Sequence, residues 1–256
     1  MIPKIIHYCW FGHNPLPESA LKCIASWKKY LPDYEIKEWN EDNFDVNIIP
    51  YTQQAYEAKK YAFVSDYARY WILYNYGGVY FDTDVEVIKT MDDIIEKGAF
   101  MGIEIPSKNE TFPLVAPGLG MATGKMHPFC KKMIEEYTHL SFLDQNGNLN
   151  QKTVVSYNTE MLIQSGLKPT NMLQQIAGIW IYPVDFFNPL DDLTGKLKIT
   201  DNTRSIHWYS SSWSDSSSFR KWCSRLSHRL VGMKFHLLKG RINTFQKRLK
   251  RIIIKD

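Results

Sequence analysis

The chain has 256 residues and a mass of 30.0 kDa, enough to bury a substantial core as one domain, with or without an appendage. At 44% hydrophobic and 23% charged it has an ordinary soluble globular composition, and no apolar run reaches the length needed to cross a bilayer. The net charge of +4 hides an asymmetry: from Phe219 onward 12 Lys and Arg face a single acid, Asp256, which leaves 19 basic against 26 acidic residues before it.

Ile2–Trp10 (IPKIIHYCW) predicts a first strand running into Phe11-Gly12. A strand followed by a glycine turn is where α/β sheets present ligand-binding loops. Trp10, taken by itself, suits a core position. Pro17–Tyr30 predicts a helix, with proline near its first turn, Leu21, Ile24 and Trp27 on an apolar face, and Lys28 and Lys29 at its C-terminal end. Tyr34–Trp39 alternates as a half-buried strand, Asn40–Asn47 is an acidic connection, and Thr52–Tyr61 is a short helix.

The stretch Ala62–Val87 carries the strongest pattern. Asp66 and Arg69 lie three apart and so share one side of a helix, while Tyr70, Leu73 and Tyr74 can form an apolar face. Gly77-Gly78 can take φ > 0 and stop that helix without steric cost. Val79–Phe81 is a short β-prone run that delivers Asp82 and Asp84 to a strand end, both pointing the same way and Thr83 opposite. Two convergent carboxylates at the mouth of a sheet suit a hard divalent cation with room left for substrate oxygens.

Beyond it, Val85–Ile88 continues extended, Met91–Lys97 is a short helix and Phe100–Ile105 a strand. Thr111–Thr123 is rich in Pro and Gly and is expected to cross close to a ligand. Pro128–Leu140 is a helix with Phe129, Met133, Ile134 and Tyr137 on one face. Leu143–Thr153 is a polar loop, Asn158–Ser165 a helix ending at Gly166, and Ile179–Val184 a late strand. Phe186–Lys198 is a loop, and Ser205–Trp208 a final strand entering the serine-rich Tyr209–Ser218. Phe219–Ile254 reads as two amphipathic helices split by Gly240. The four cysteines, Cys9, Cys23, Cys130 and Cys223, show no metal-type spacing and are expected as reduced thiols of a cytosolic protein. The first residues lack the pattern of a cleavable signal.

An Asp-x-Asp alone is a weak signal; behind a Gly-Gly turn and strand, with Ser65-Asp66-x-x-Arg69 one helix upstream, it is a strong one. The run SDYARYWILYNYGGVYFDTDV resembles the sugar-binding signature of glycosyltransferase family 32. That family includes yeast-type mannosyltransferases and bacterial capsular and lipooligosaccharide glycosyltransferases, and the clostridial glucosylating toxins carry a related signature. IPKIIHYCWFG is similar to the opening strand of these enzymes, and SIHWYSSSW to their C-terminal loop; the middle third of the chain carries no motif of the family.

The resemblance implies a GT-A fold, a Rossmann-like mixed sheet flanked by helices, as a catalytic domain over residues 1–218, with residues 219–256 as a basic amphipathic helical tail. It implies Trp10 stacked on a nucleotide base, favouring uracil, with Tyr80 beside the donor. Asp66 would bind donor-sugar hydroxyls, and Arg69 the sugar or diphosphate. Asp82, near the ribose, and Asp84 would hold Mn²⁺ or Mg²⁺, with His207 a further ligand or diphosphate contact. Ser212 and Trp213 would close over the phosphates. The activity implied is retaining transfer of a hexose, galactose or glucose favoured, from a UDP-sugar to a saccharide or glycolipid acceptor, in capsular or surface polysaccharide synthesis.

The residues themselves agree with such a role. A leaving diphosphate needs its growing charge neutralised, which a divalent cation does as a Lewis acid, and the Arg69 guanidinium offers a planar charged fork. The plainer alternatives are a surface pair of Arg69 with Asp66, and a His207 merely packed beside Trp208. No covalent nucleophile is identifiable; Glu104, Glu160 and Asp185 are the available carboxylates. The basic tail suits an anionic membrane surface at the inner, cytoplasmic leaflet, where each Lys or Arg is worth about 1 kcal/mol, or a solvated helical pair. Nothing upstream of it points to nucleic acid. Two rivals remain: a haloacid-dehalogenase-type phosphohydrolase, with Asp82 as nucleophile, Asp84 as acid and base, and Lys152 and Asp191-Asp192 in its later motifs; and a nucleotide-sugar-binding or membrane-scaffold protein without turnover. A third alternative within the same class is a mannosyltransferase using GDP-mannose.

Overall fold

A computed structural model describes residues 1–104, 113–192 and 194–210. Residues 1–189 and 198–209 form one compact unit; residues 190–197 belong to a second together with residues 210–256. The expected tail, the 218/219 boundary, Ser212 and Trp213 lie outside the described residues.

The first unit is built on a mixed seven-stranded sheet: β1 (Ile5–Cys9), β2 (Glu35–Trp39), β3 (Gly78–Tyr80), β5 (Phe100–Glu104), β6 (Leu114–Thr123), β7 (Gln174–Ile176) and β8 (Ile179–Tyr182). Its order is β2-β1-β3-β6-β5-β8-β7. β1 pairs in parallel with β2 and β3, β6 runs antiparallel to both β3 and β5, and β5 pairs in parallel with β8. β4 (Val85–Val87) leaves this sheet and pairs antiparallel with β11 (Ser205–His207), which places His207 opposite Val85. In the second unit, β9 (Leu190–Asp191) and β10 (Lys196–Leu197) form an antiparallel hairpin.

Strand alternation sends neighbouring residues to two separate cores. Tyr80, Met101 and Ile103 join one cluster with side chains of α2 (Pro50–Glu57), α3 (Tyr61–Tyr76), α5 (Pro128–Thr138) and α6 (Val154–Gln164). Val79, Phe81 and Phe100 join the other, with α1 (Glu18–Tyr30), α4 (Asp92–Lys97) and α7 (Val184–Phe187). Helices therefore cover both faces, the α/β arrangement the sequence predicted.

Two expectations are corrected, for α1 and for residues 186–198, and one stretch gains an element. In α1 the buried face is Ala20, Cys23, Ile24 and Trp27, whereas Leu21 points to solvent. The Pro- and Gly-rich run, for which the sequence predicts no element, is from Leu114 the long strand β6 at the centre of the sheet. Its composition reflects a register shift against β5, where Met101 faces Met121 but Gly102 faces Ala116, so that Pro117–Gly120 bulge out of the ladder. Within the expected loop 186–198 the chain finishes α7 and adds β9 and β10.

Candidate active site

Gly77 and Gly78 have φ of 65° and 107°, and the α3-to-β3 turn depends on both. A buried histidine holds this turn. The Nε2 of His7 donates to the Gly77 carbonyl at 2.8 Å, and its Nδ1 accepts from the Trp39 indole at 3.0 Å. Burial, abetted by Lys37 and only partly offset by the Gly77 hydrogen bond, lowers the His7 pKa to about 4, so the ring is neutral. His7 thus serves the turn that aims the next segment.

That segment departs from the expected geometry. Asp82 and Asp84 lie in a turn between β3 and β4, closed by the Val85 amide on the Asp82 carbonyl at 3.1 Å, so the two carboxylates converge by turning rather than by strand alternation. The β4–β11 pairing then carries in His207, whose Nε2 lies 2.9 Å from Asp84 Oδ1. One ligand atom each from Asp82, Asp84 and His207 falls within 4.8 Å of the others, and all three residues are half-buried. For an ion with bonds of about 2.0–2.2 Å, ligand atoms sit roughly 3–4.4 Å apart, so this donor set fits Mn²⁺ or Mg²⁺ with at most a sub-ångström contraction. Burial opposes a charge on His207, but Asp84, through its charge and hydrogen bond, and then Asp82 and Glu104 outweigh it, raising the pKa to about 9.

Behind the triad sits Arg69, with 4% of its side chain exposed. Its Nη2 is 2.9 Å from Asp66 Oδ1 and 3.4 Å from Asp82 Oδ1, its Nε donates to the Ser65 carbonyl at 3.1 Å, and the guanidinium lies 4.8 Å over the Tyr80 ring. Asp66 also accepts from the backbone of Val154, at the start of α6. Burial raises the Asp66 carboxyl to about 7, Arg69 opposing and Asp82 adding to the rise. The pairing of Asp66 with Arg69 is therefore a buried one, tied into Asp82, and not a surface i, i+3 pair.

Tyr80 is buried and reaches the site through its hydroxyl, which donates to Asp82 Oδ1 at 3.1 Å. Trp10 stands just past β1, half-buried, with its indole N–H on the Asn14 carbonyl at 2.6 Å and its amide on the Trp39 carbonyl at 2.8 Å. Asp66, Arg69, Tyr80, Asp82, Asp84 and His207 are thus brought together, and Trp10 lies at the end of the strand beside β3.

The sequence reading missed Gly118. Its carbonyl accepts the Asp82 amide at 3.1 Å, and a Cβ there would lie 2.8 Å from Asp82 Cγ, overlap Oδ2, and come 3.3 Å from Arg69 Nη1. The β6 bulge supplies the room in which Asp82 sits; Pro-Gly-Leu-Gly inside a strand was the available signal. Of the other carboxylates, Glu160 pairs with Lys152 at 2.6 Å, and Asp185 ties together Thr200, Asn202 and Thr203. Glu104 accepts from the Tyr209 hydroxyl at 3.2 Å, close enough to His207 to influence its charge. Among the described residues no helix is long and apolar enough to cross a membrane, and Cys9, Cys23 and Cys130 are buried free thiols.

Comparisons with known proteins place part of the chain beside glycosyltransferases. Residues 17–101 match the family described as the glycosyltransferase sugar-binding region containing the DXD motif. The chain is 30% identical over 145 residues to inositol phosphoceramide mannosyltransferase 3 of Schizosaccharomyces pombe, covering 55% of this chain and 38% of that protein. It is 29% identical over 143 residues to mannosyl phosphorylinositol ceramide synthase CSH1 of Saccharomyces cerevisiae, covering 54% and 36%. The chain thus spans less than half the length of these relatives. Among solved structures, the PaToxG glycosyltransferase superposes with a TM-score of 0.45 at 21% identity, over 64% of this chain and 69% of that one.

Proposed function

We propose that this chain, whose residues 17–101 are a DXD-containing glycosyltransferase sugar-binding region, is a GT-A transferase that moves a hexose from a nucleotide-sugar to a saccharide or glycolipid acceptor. The observation that carries the reading is the convergence of Asp82, Asp84 and His207, with the buried Asp66–Arg69 pair directly behind them. Asp82, Asp84 and His207 would hold Mn²⁺ or Mg²⁺, which supplies Lewis-acid neutralisation of a leaving diphosphate. Arg69 and Tyr80 fix the Asp82 carboxylate, Gly118 gives it room, and Asp66 stands ready to accept hydrogen bonds from sugar hydroxyls. Trp10 offers a flat indole for a base, favouring a UDP-sugar. Transfer with retention, the acceptor being assisted by the leaving phosphate, is the outcome the family resemblance implies.

The phosphohydrolase reading loses its later parts, since Lys152 is engaged by Glu160 and Asp191 by Thr194 at 2.6 Å. The mannosyltransferase alternative keeps support, because relatives of this chain are mannosyltransferases by name and act on inositol phosphoceramide. A lipid-borne acceptor also agrees with the basic residues after Phe219, which would hold the protein on an anionic cytoplasmic leaflet in capsular or surface glycan synthesis. One experiment tests the whole: a panel of UDP- and GDP-sugars assayed for Mn²⁺-dependent hydrolysis without acceptor. Turnover of one UDP-hexose, abolished in Asp84→Asn, is the expected result. Selective turnover of GDP-mannose moves the donor to the alternative, and turnover of none, with or without metal, rejects the transferase.

A further inference from the structure

A histidine that ligates a metal is ordinarily oriented by a hydrogen bond from its second ring nitrogen to a carboxylate or carbonyl. Among the described residues His207 has no such partner. Its Nε2 faces Asp84, and its Nδ1 is buried with no hydrogen-bond partner among the described residues. What lies against the ring is Tyr209, edge to face, with the centroids 4.2 Å apart and the planes at 63°.

Tyr209 is itself held from both sides. Nδ2 of the buried Asn188 donates to its hydroxyl at 2.7 Å, and the hydroxyl donates to Glu104 Oε1 at 3.2 Å. Asn188 follows Phe187, whose ring stacks on Phe100 of β5 at 5.2 Å, so this anchor is tied into the sheet. The Tyr209 backbone sits at φ +50°, which an aromatic side chain rarely adopts and which persists only where the surroundings impose it. A strained residue, clamped at its far end, is pressed on a ring whose Nδ1 has no hydrogen bond among the described residues.

We propose that Tyr209 is the positioning residue of the cation site: clamped by Asn188 and Glu104, it fixes the plane of His207 by ring packing. It does so in place of the usual second hydrogen bond. The proposal rests on reading Asp82, Asp84 and His207 as a cation site.

The test uses the full chain and Mn²⁺ alone, with no donor. Unbound Mn²⁺ is titrated by electron paramagnetic resonance against wild type, Tyr209→Leu, Tyr209→Phe and Trp208→Ala, and the bound ion is read for coupling to imidazole nitrogen. Wild type is expected to bind with nitrogen coupling. Tyr209→Leu should weaken binding roughly tenfold or more and lose the coupling, while the two aspartates still hold the ion. Tyr209→Phe keeps the ring without its clamp and should fall between; if the leucine variant does not fold, this variant decides on the same two readouts. Trp208→Ala, which removes an indole bound to Glu86 at 2.8 Å, should retain both affinity and coupling. Wild-type affinity and coupling in both Tyr209 variants overturn the proposal, as does an equal loss in Trp208→Ala, which would mark a general loosening of β11. A wild-type chain that binds no Mn²⁺ refutes the cation site itself, and the proposal with it.

Discussion

Gly118→Ala isolates the geometry of the site from its chemistry, because it alters no charged or polar side chain. The backbone at Gly118 is not left-handed, so alanine is acceptable there on conformational grounds. The difficulty lies opposite: the new Cβ would fall 2.8 Å from Asp82 Cγ and inside Oδ2, where ordinary contact is 3.4–4 Å. The Asp82 amide remains bonded to the Gly118 carbonyl, so the backbone cannot retreat easily and the carboxylate must swing by on the order of 1 Å. That movement gives up the Tyr80 hydroxyl at 3.1 Å and the Arg69 contact at 3.4 Å. A displacement of about 1 Å at a catalytic group costs roughly 100-fold in rate, equivalent to about 2.7 kcal/mol of barrier, whereas overpacking costs about 1–3 kcal/mol of stability. The assay is the initial rate of Mn²⁺-dependent donor hydrolysis, with thermal unfolding alongside. Gly124→Ala is the control, since its Cβ would meet only the Met1 carbonyl at 3.4 Å. A folded Gly118→Ala protein with a rate within threefold of wild type would refute the claim that the β6 bulge makes room for Asp82.

Arg69→Met should destabilise the protein by about 3–5 kcal/mol in urea unfolding, since it strands two buried or half-buried carboxylates; a loss near 0.5 kcal/mol would mean that the pair behaves as a surface one. His7 predicts an acid-sensitive fold. Its folded pKa of about 4 lies below the ordinary 6.5, so the unfolded chain binds the extra proton, and stability is present above pH 6.5 and drains away as pH falls towards 4, by about 3 kcal/mol. Asp66 acts in the opposite sense because its carboxyl is raised, so the comparison is between wild type and His7→Gln, in which the His7 slope should vanish; identical slopes would refute it. Removing residues 219–256, and with them 12 basic side chains, should release the protein from anionic vesicles and leave its neutral-vesicle binding unchanged; retained binding to anionic vesicles rejects the membrane role.

The order of elements and the aspartate pair were legible because both are local. Gly77-Gly78 punctuates a helix and a strand, and each signal lies within a few residues of what it specifies. What joins the site is not local. His207 reaches Asp84 because β11 pairs with β4 across a span that no periodicity records, and Gly118 reaches Asp82 through a bulge set by strand register. Leu21 was assigned to the buried face of α1 because apolar spacing cannot tell which of two adjacent stripes meets the sheet; Cys23 and Ala20 took that place. His7 was visible only as part of a motif, and its structural task, holding Gly77, depends on a hydrogen bond across the sheet.

The balance of charge explains why donor binding and cation binding belong to one reading. Asp82, Asp84 and Glu104 gather around His207, and against these three the described site sets the His207 imidazolium, paired with Asp84, and the guanidinium of Arg69, already engaged by Asp66 and Asp82. Asp66, with its carboxyl raised to about 7, adds a further partial negative charge near neutrality. A diphosphate entering such a cluster meets a surplus of carboxylates, which a divalent cation would offset. Arg69 is too deeply buried to do so unaided, so its charge is invested in holding two carboxylates at a fixed spacing. Trp10 stands outside this cluster, beyond the end of β1. Changing Trp10 should therefore alter the preference among bases and leave Mn²⁺ affinity intact, whereas changing Asp84 should remove both.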